Sequence, residues 1–228
     1  MPNFKAILSD LDGTLTDGEH IHQEAFEKIC NQLGANVSTK EAASYQGVAL
    51  DKKYADVQHR FDQPIEYEEF ADRVSSYYAL KWREIHVIAG APELLQQGHS
   101  QGMRLGAVTN GTAMERDTNL AALGPKTAEL LEFVINIDDV KRPKPEPEGY
   151  LLGAQRLGID PKDILALEDT PTGVEAAKAA GMTVIQIQPD PALVSDQADL
   201  VVDSWHSPAV AQFIGLDPTA TPRRGPGA

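Results

Sequence analysis

Two carboxylates, Asp10 and Asp12, leave the end of an apolar run near the start of the chain, within Ser9-Asp10-Leu11-Asp12-Gly13-Thr14-Leu15-Thr16-Asp17. At this spacing one can serve as nucleophile and the other as proton donor, or the two can offer a side-chain and a backbone oxygen to a divalent cation. A strand followed by a plain Asp-Gly turn is the alternative reading. Three further polar clusters follow: Thr109-Asn110-Gly111, then Lys144 in Arg142-Pro143-Lys144-Pro145-Glu146-Pro147, then Glu168-Asp169. Taken singly, Thr109 reads as a turn residue and Lys144 as a solvated loop charge. The acidic pair reads as residues favoured near a helix N-terminus. Gathered in one cleft, however, Asp10, Asp12, Glu168 and Asp169 would repel one another unless a cation neutralised them. Oxygen-only ligation with positions left for water describes Mg²⁺, at about 2.1 Å per bond.

The elements that must position these clusters are strands. Phe4 to Leu8 reads as a buried strand, and Leu105–Val108, Phe133–Ile137, Ile164–Leu167, Val184–Ile187 and Leu200–Val202 as five more. Helical patterns alternate with them: Pro92–Gly98, a helix opened by a Thr112-to-Glu115 capping box, Glu148–Leu157, and one capped by Thr170, started by Pro171 and ended by Gly181. This alternation predicts an α/β, doubly wound, Rossmann-like parallel sheet, in which strand ends converge on a single cleft. Between residues 17 and 87 the pattern changes to helical stripes, Ala25-Phe26-Ile29-Cys30-Leu33 and Tyr67-Phe70-Val74-Tyr77-Tyr78, both read as core packing. The predicted organisation is a core of residues 1–16 and 88–216, a helical insert of residues 17–87, and a disordered tail of residues 217–228.

Composition narrows the partners. With 20 Lys and Arg against 34 Asp and Glu, the 228-residue chain carries a formal net charge of −14. A chain this acidic is a poor match for a polyanion, so no nucleic acid is expected. No apolar run reaches bilayer-spanning length, so no membrane partner is expected either. A single cysteine, Cys30, fits a reducing compartment, and a cytoplasmic location is the expectation. His20-x-His22 is a weak zinc signal beside a plain helix start. Neither phosphate-cradling glycine loop nor Gly-x-Ser-x-Gly elbow occurs. The sequence is silent on oligomeric state.

Asp10-Leu11-Asp12-Gly13-Thr14-Leu15 resembles the first motif of the haloacid dehalogenase-like (HAD) superfamily, and the remaining three motifs occur in order. Thr109 matches the second, Lys144 in Lys-Pro-x-Pro the third, and Glu168-Asp169 the fourth. Lys-Pro-x-Pro and Gly173-Val174-Glu175-Ala176-Ala177 to Ala180-Gly181-Met182 are similar to the beta-phosphoglucomutase-like and phosphoglycolate phosphatase-like branch, where a histidine often stands near His22. The resemblance covers residues 4–22 and 88–190 and makes the insert a cap. It implies a Mg²⁺-dependent phosphatase for a small-molecule phosphate ester: a sugar, polyol or hydroxy-acid phosphate. Asp10 would attack phosphorus and Asp12 act as acid and base. Asp10, Asp12, Glu168 and Asp169 would serve the metal, while Thr109, Asn110, Gly111, Lys144 and His22 would bind phosphate or substrate. A phosphomutase is the runner-up, set back by Gly47-Val48-Ala49-Leu50, which has an apolar residue where such mutases carry arginine in Gly-Val-Ser-Arg. Lys52, Lys53 and Arg60 are near enough in sequence to substitute. Asp12 argues against a metal-free dehalogenase.

Overall fold

The computed structural model describes residues 4–45 and 48–215. The core strands are β1 (Ala6–Ser9), β4 (Arg104–Val108), β5 (Val134–Ile135), β6 (Ile164–Glu168), β7 (Thr183–Ile187) and β8 (Leu200–Val202). They form one six-stranded sheet in the order β5-β4-β1-β6-β7-β8, parallel throughout. Every residue of β1 and β6 is buried, as expected of strands covered on both faces. Successive side chains part company. Ile7, Leu165, Leu167 and Ile185 join one core, with α5 (Ala91–Ser100), α6 (Ala113–Leu123) and α10 (Pro208–Ile214). Ala6, Leu8, Ala166 and Val184 join the other, with α8 (Glu148–Leu157) and α9 (Pro171–Ala179). This is the doubly wound arrangement. The winding runs outward from β1 to β5 and then resumes on the other side at β6, so the strand order reverses between β1 and β6. Ligands bind at such a switch point.

The chain leaves this sheet through β2 (Thr16–Asp17) and returns through β3 (His86–Val87), which pair antiparallel. Between them lie α1 (Glu19–Gln32), α2 (Thr39–Ser44), α3 (Leu50–Val57) and α4 (Tyr67–Leu80). These helices share their own core, built around Phe26, Ile29, Phe70 and Val74. Its aromatic rings meet edge-on, Phe26 against Tyr45 and Phe70, while Phe61 stacks on Phe70.

Local chemistry fixes several element ends. Thr112 and Glu115 form the capping box, with Thr112 N–H donating to Glu115 Oε2 at 2.8 Å. Thr170 Oγ1 accepts from Gly173 N–H at 3.1 Å to open α9. The strand expected over 133–137 is confined to Val134–Ile135. Asn136 and Asp139 cap each other across a single 3-10 turn there, taking the backbone out of the ladder. Short α2, α3, α10 and α7 (Pro125–Ala128) were not separable from loops by periodicity. Among the described residues no helix is long and apolar enough to cross a membrane. Gly47 and the expected tail lie outside the described residues.

Candidate active site

Register brings the polar clusters level. Ser9 of β1 stands opposite both Ala107 of β4 and Leu167 of β6, so Asp10, Thr109 and Glu168 emerge together at the switch point. Lys144 arrives from the loop before α8. Its Nζ lies 2.5 Å from Asp10 Oδ1 and 2.5 Å from Glu168 Oε1, and all three side chains are buried. One ammonium thus answers two carboxylates. Asn110 holds that lysine in place: its carboxamide accepts from Lys144 N–H at 3.0 Å and donates to Lys144 C=O at 3.1 Å. In the fold the Asn110 side chain acts as a peptide mimic that pins the lysine loop to the end of β4. Thr109 is buried beside it, and its Oγ1 accepts from Gly111 N–H at 3.0 Å.

The acids form a group that fits a hard cation. Asp10, Glu168 and Asp169 each present an oxygen, all within 4.8 Å of one another. Burial pushes the Asp10 carboxyl up to about 7, against the pull of Lys144 and with Glu168 adding repulsion. Asp169 is raised as well, by burial first and then by Asp10 and Glu168. Burial alone would lower Lys144, but Asp10 and Glu168 outweigh it and hold the ammonium above its ordinary value. Glu168 Oε1 also accepts from the Tyr150 hydroxyl, while its buried Oε2 has no hydrogen-bond partner among the described residues. Three carboxylates against one ammonium leave negative charge that a divalent cation with oxygen ligands would balance.

Two glycines make this packing possible. Gly13 has φ 85° and faces Asp169 so closely that an added Cβ would lie 2.2 Å from Oδ2; at Gly173 it would lie 1.9 Å from Glu168 Oε2. The backbone of Asp169 is fixed in turn, its carbonyl accepting from Gln186 Nε2 at 2.8 Å and Gln188 Nε2 at 3.1 Å.

Asp12 stands apart from the other acids. Its Oδ1 accepts from Gly18 N–H at 2.8 Å and its Oδ2 lies 2.9 Å from His22 Nε2. The carboxylate is therefore directed at the start of α1, outside the group of three. His22 lies flat against Tyr78, with centroids 4.2 Å apart and planes 20° apart. Burial would lower this imidazole, but the hydrogen bond and charge of Asp12, with Glu115 and Glu19, raise it to about 9. Tyr78 O–H donates to Asn119 Oδ1 at 2.8 Å, and Thr16 Oγ1 reaches the same oxygen at 3.1 Å. His20 stacks instead near His86, at 5.7 Å, and does not join His22. Tyr78 was read as stripe packing, yet it supports the imidazole. Tyr150 and Asn119 carried no signal, being single polar heads inside helical patterns.

Comparison with known proteins agrees with this architecture. Residues 7–187 match the model of the haloacid dehalogenase-like hydrolase family. The chain is 34% identical over 180 residues to validoxylamine A 7'-phosphate phosphatase of Streptomyces hygroscopicus subsp. limoneus, covering 78% of this chain and 83% of that protein. It is 30% identical over 209 residues to hexitol phosphatase A of Escherichia coli, covering 88% and 91%. Among solved structures, a HAD family hydrolase from Deinococcus radiodurans with bound phosphate and sodium superposes with a TM-score of 0.71 at 27% identity, covering 96% of this chain and 100% of that one. CbbY from Rhodobacter sphaeroides shares the fold with a TM-score of 0.80 at 24% identity, covering 90% and 96%. The chain belongs to the haloacid dehalogenase-like hydrolase family, in its beta-phosphoglucomutase-like and phosphoglycolate phosphatase-like branch.

Proposed function

We propose that this chain is a phosphoric monoester hydrolase that acts on a small phosphorylated metabolite, a sugar, polyol or hydroxy-acid phosphate, through a phosphorylated Asp10. The observation that carries the reading is the convergence of Asp10, Lys144, Glu168 and Asp169 at the switch point. In the first step an Asp10 oxygen attacks phosphorus in line, and the bond from phosphorus to the ester oxygen breaks. Lys144 offsets the charge of the nucleophile and the phosphoryl oxygens, while Thr109 O–H and the N–H groups beside it donate to those oxygens. The proton shared by Asp12 and His22 passes to the leaving oxygen. In the second step Asp12 takes a proton from water, which attacks the acyl phosphate and frees Asp10 and inorganic phosphate. Asp10, Asp169 and Glu168 would hold Mg²⁺, whose chemistry is to screen the phosphoryl oxygens as charge builds on them. Helices α1 to α4 would act as the cap, and residues 1–16 and 88–216 as the catalytic core.

The phosphomutase alternative needs a second phosphate grip in the cap. Arg60 is committed elsewhere: Nη1 pairs with Glu41 at 2.5 Å and Nε donates to Ala35 C=O at 2.9 Å. Leu50 stands where the mutase arginine would be. The test is phosphate release across a panel of monoesters, together with β-glucose 1-phosphate with and without glucose 1,6-bisphosphate. Steady phosphate release supports the hydrolase. Glucose 6-phosphate forming faster than phosphate would replace it with the mutase.

A further inference from the structure

Strand β7 carries a glutamine where its neighbours are apolar. Gln186 stands between Ile185 and Ile187 and is fully buried. Its amide serves three partners: Nε2 donates to Asp169 C=O at 2.8 Å and to Leu193 C=O at 2.9 Å, and Oε1 accepts from Ser195 N–H at 2.8 Å. Gln188, two residues on, repeats the pattern. Its Nε2 donates to the same Asp169 carbonyl at 3.1 Å, and its Oε1 accepts from Asp190 N–H at 3.0 Å. The place of that carbonyl in the sheet explains the need. The paired register of β6 and β7 ends at Glu168 and Gln186, so Asp169 is the first residue past the ladder. Two donors engage both lone pairs of its carbonyl and fix the plane of the Asp169–Thr170 peptide. From the other side, Thr14 O–H donates to Asp169 Oδ1 at 3.3 Å. A methionine at position 186 would fill the same space without the cost of burying an amide, so packing of the strand does not call for glutamine.

We infer that Gln186 and Gln188 are positioning residues that hold the Asp169 carboxylate in one place relative to Asp10 and Glu168, and that this stiffness makes the acid cluster select Mg²⁺ over Ca²⁺. Mg²⁺ demands near-ideal octahedral geometry at about 2.1 Å, whereas Ca²⁺ takes more oxygens, in flexible arrangements, at about 2.4 Å. A carboxylate whose main chain is clamped cannot swing outwards to the longer distance or turn to offer both oxygens, so the larger ion is penalised. Released from the clamp, the cluster keeps its three acids and its charge but loses the geometry that the smaller ion needs. Neither glutamine touches the reacting atoms; both act through Asp169. The inference rests on the reading of Asp169 as a metal ligand given above, and it carries that reading from which residues hold the ion to which ion they hold.

The experiment follows melting temperature against Mg²⁺ and against Ca²⁺ for the wild type, Gln186→Met, Gln188→Met and Asp190→Ala, and takes an apparent Kd for each metal from the curves. Gln188 is only half-buried, so Gln188→Met carries the test where Gln186→Met fails to fold. Either methionine should raise the Kd for Mg²⁺ by about tenfold or more, the usual cost of removing a group that orients a metal ligand. The Kd for Ca²⁺ should move by less than about threefold, because a flexible coordination shell tolerates a loosened ligand. Asp190→Ala loosens the same loop, where Asp190 Oδ1 accepts from Ala192 N–H at 2.9 Å, and leaves in place the backbone N–H that Gln188 accepts from. Its two Kd values should stay within about twofold of wild type, as for an ordinary surface substitution. Lower melting temperatures with both metal constants unchanged would mean that the glutamines only hold the loop, and would overturn the inference. So would equal weakening of both metals, or a shift for Asp190→Ala as large as that for Gln188→Met. A wild type whose melting temperature neither ion moves would bring down the metal reading of the acid cluster, and the clamp with it.

Discussion

The two sides of this site are held by different physics. On the sheet side, charges are buried and answered: Lys144 between Asp10 and Glu168 at 2.5 Å each, its loop pinned by Asn110, and Asp169 fixed through its carbonyl by Gln186 and Gln188. On the helical side the core is apolar and aromatic, and the polar reach toward the sheet is made by a few side chains on α1 and α4. A two-residue ribbon pair joins the halves. A parallel sheet buried on both faces cannot shift a strand end without disturbing two cores, so it suits groups that must be placed to within a fraction of an ångström. Helices tethered by a ribbon can rock as a unit, which suits groups that must admit, grip and release a substrate.

If this division holds, the largest loss comes from the sheet side. Asp10→Asn should reduce phosphate release to below about a hundredth of wild type, a residue of activity that acid–base assistance alone could supply. Its melting temperature should hold or rise, because one of three crowded carboxylates has lost its charge while Lys144 keeps Glu168 as partner. A folded variant that retains more activity would remove Asp10 from the covalent role.

Metal removal tests the same side without a substitution. Excess chelator should abolish turnover and Mg²⁺ should restore it. Saturating Mg²⁺ should also raise the melting temperature, since a ligand at about 100 times its Kd stabilises by about 2.7 kcal/mol. Asp169→Asn should shrink that thermal shift. Full activity in chelator would revive the metal-free reading of the acid cluster.

What could be read from the sequence follows the same division. The sheet-side groups were legible because each strand end delivers its chemistry in adjacent residues, and a parallel register turns four short motifs into one location. Residue type and spacing mark Asp10, Lys144, Glu168 and Asp169 in the sequence, and the fold brings them together. Gly13 was read as a turn, while its second duty, making room for Asp169, needs a contact 156 residues away in sequence. On the helical side a partner is found only through tertiary packing. Asn119 is one polar residue in an ordinary helix until Tyr78 and Thr16 both reach it. Asp12 is one of two like carboxylates in the first cluster, and only the turn into α1 reveals that Gly18 and His22 engage its side chain.

A pair of milder variants sharpens the contrast. Asn110→Ala removes both bonds to the Lys144 backbone and frees the loop that carries the ammonium. A drop in kcat of about tenfold to a hundredfold is expected with little change in KM, since a displaced catalytic group costs rate rather than binding. Tyr78→Phe keeps the ring beneath His22 and removes only the bond to Asn119, so it should cost about 1 kcal/mol of stability and less than about tenfold in kcat/KM. Steady-state kinetics and denaturant melts on both variants make the comparison. A larger kinetic loss for Tyr78→Phe than for Asn110→Ala would reverse the division of labour.

The smallest effect is the pH dependence of the join between the halves. His22 is raised to about 9 in the fold, where Asp12 outweighs the effect of burial, against about 6.5 for an unperturbed histidine. A group whose folded value is raised gives its full stabilisation below the unfolded value and loses it as pH rises through the folded one. The stability gap between wild type and His22→Asn should therefore be constant below about pH 6.5 and close progressively between there and about pH 9. Its full size should be on the order of 1 kcal/mol, because the pair is only partly shielded from solvent. Urea melts of both proteins from pH 6 to pH 10 measure the gap directly. A gap that does not change over this range would mean that stacking on Tyr78, not the charge shared with Asp12, holds α1 against the sheet. The proton for the leaving oxygen would then have to come from Asp12 alone.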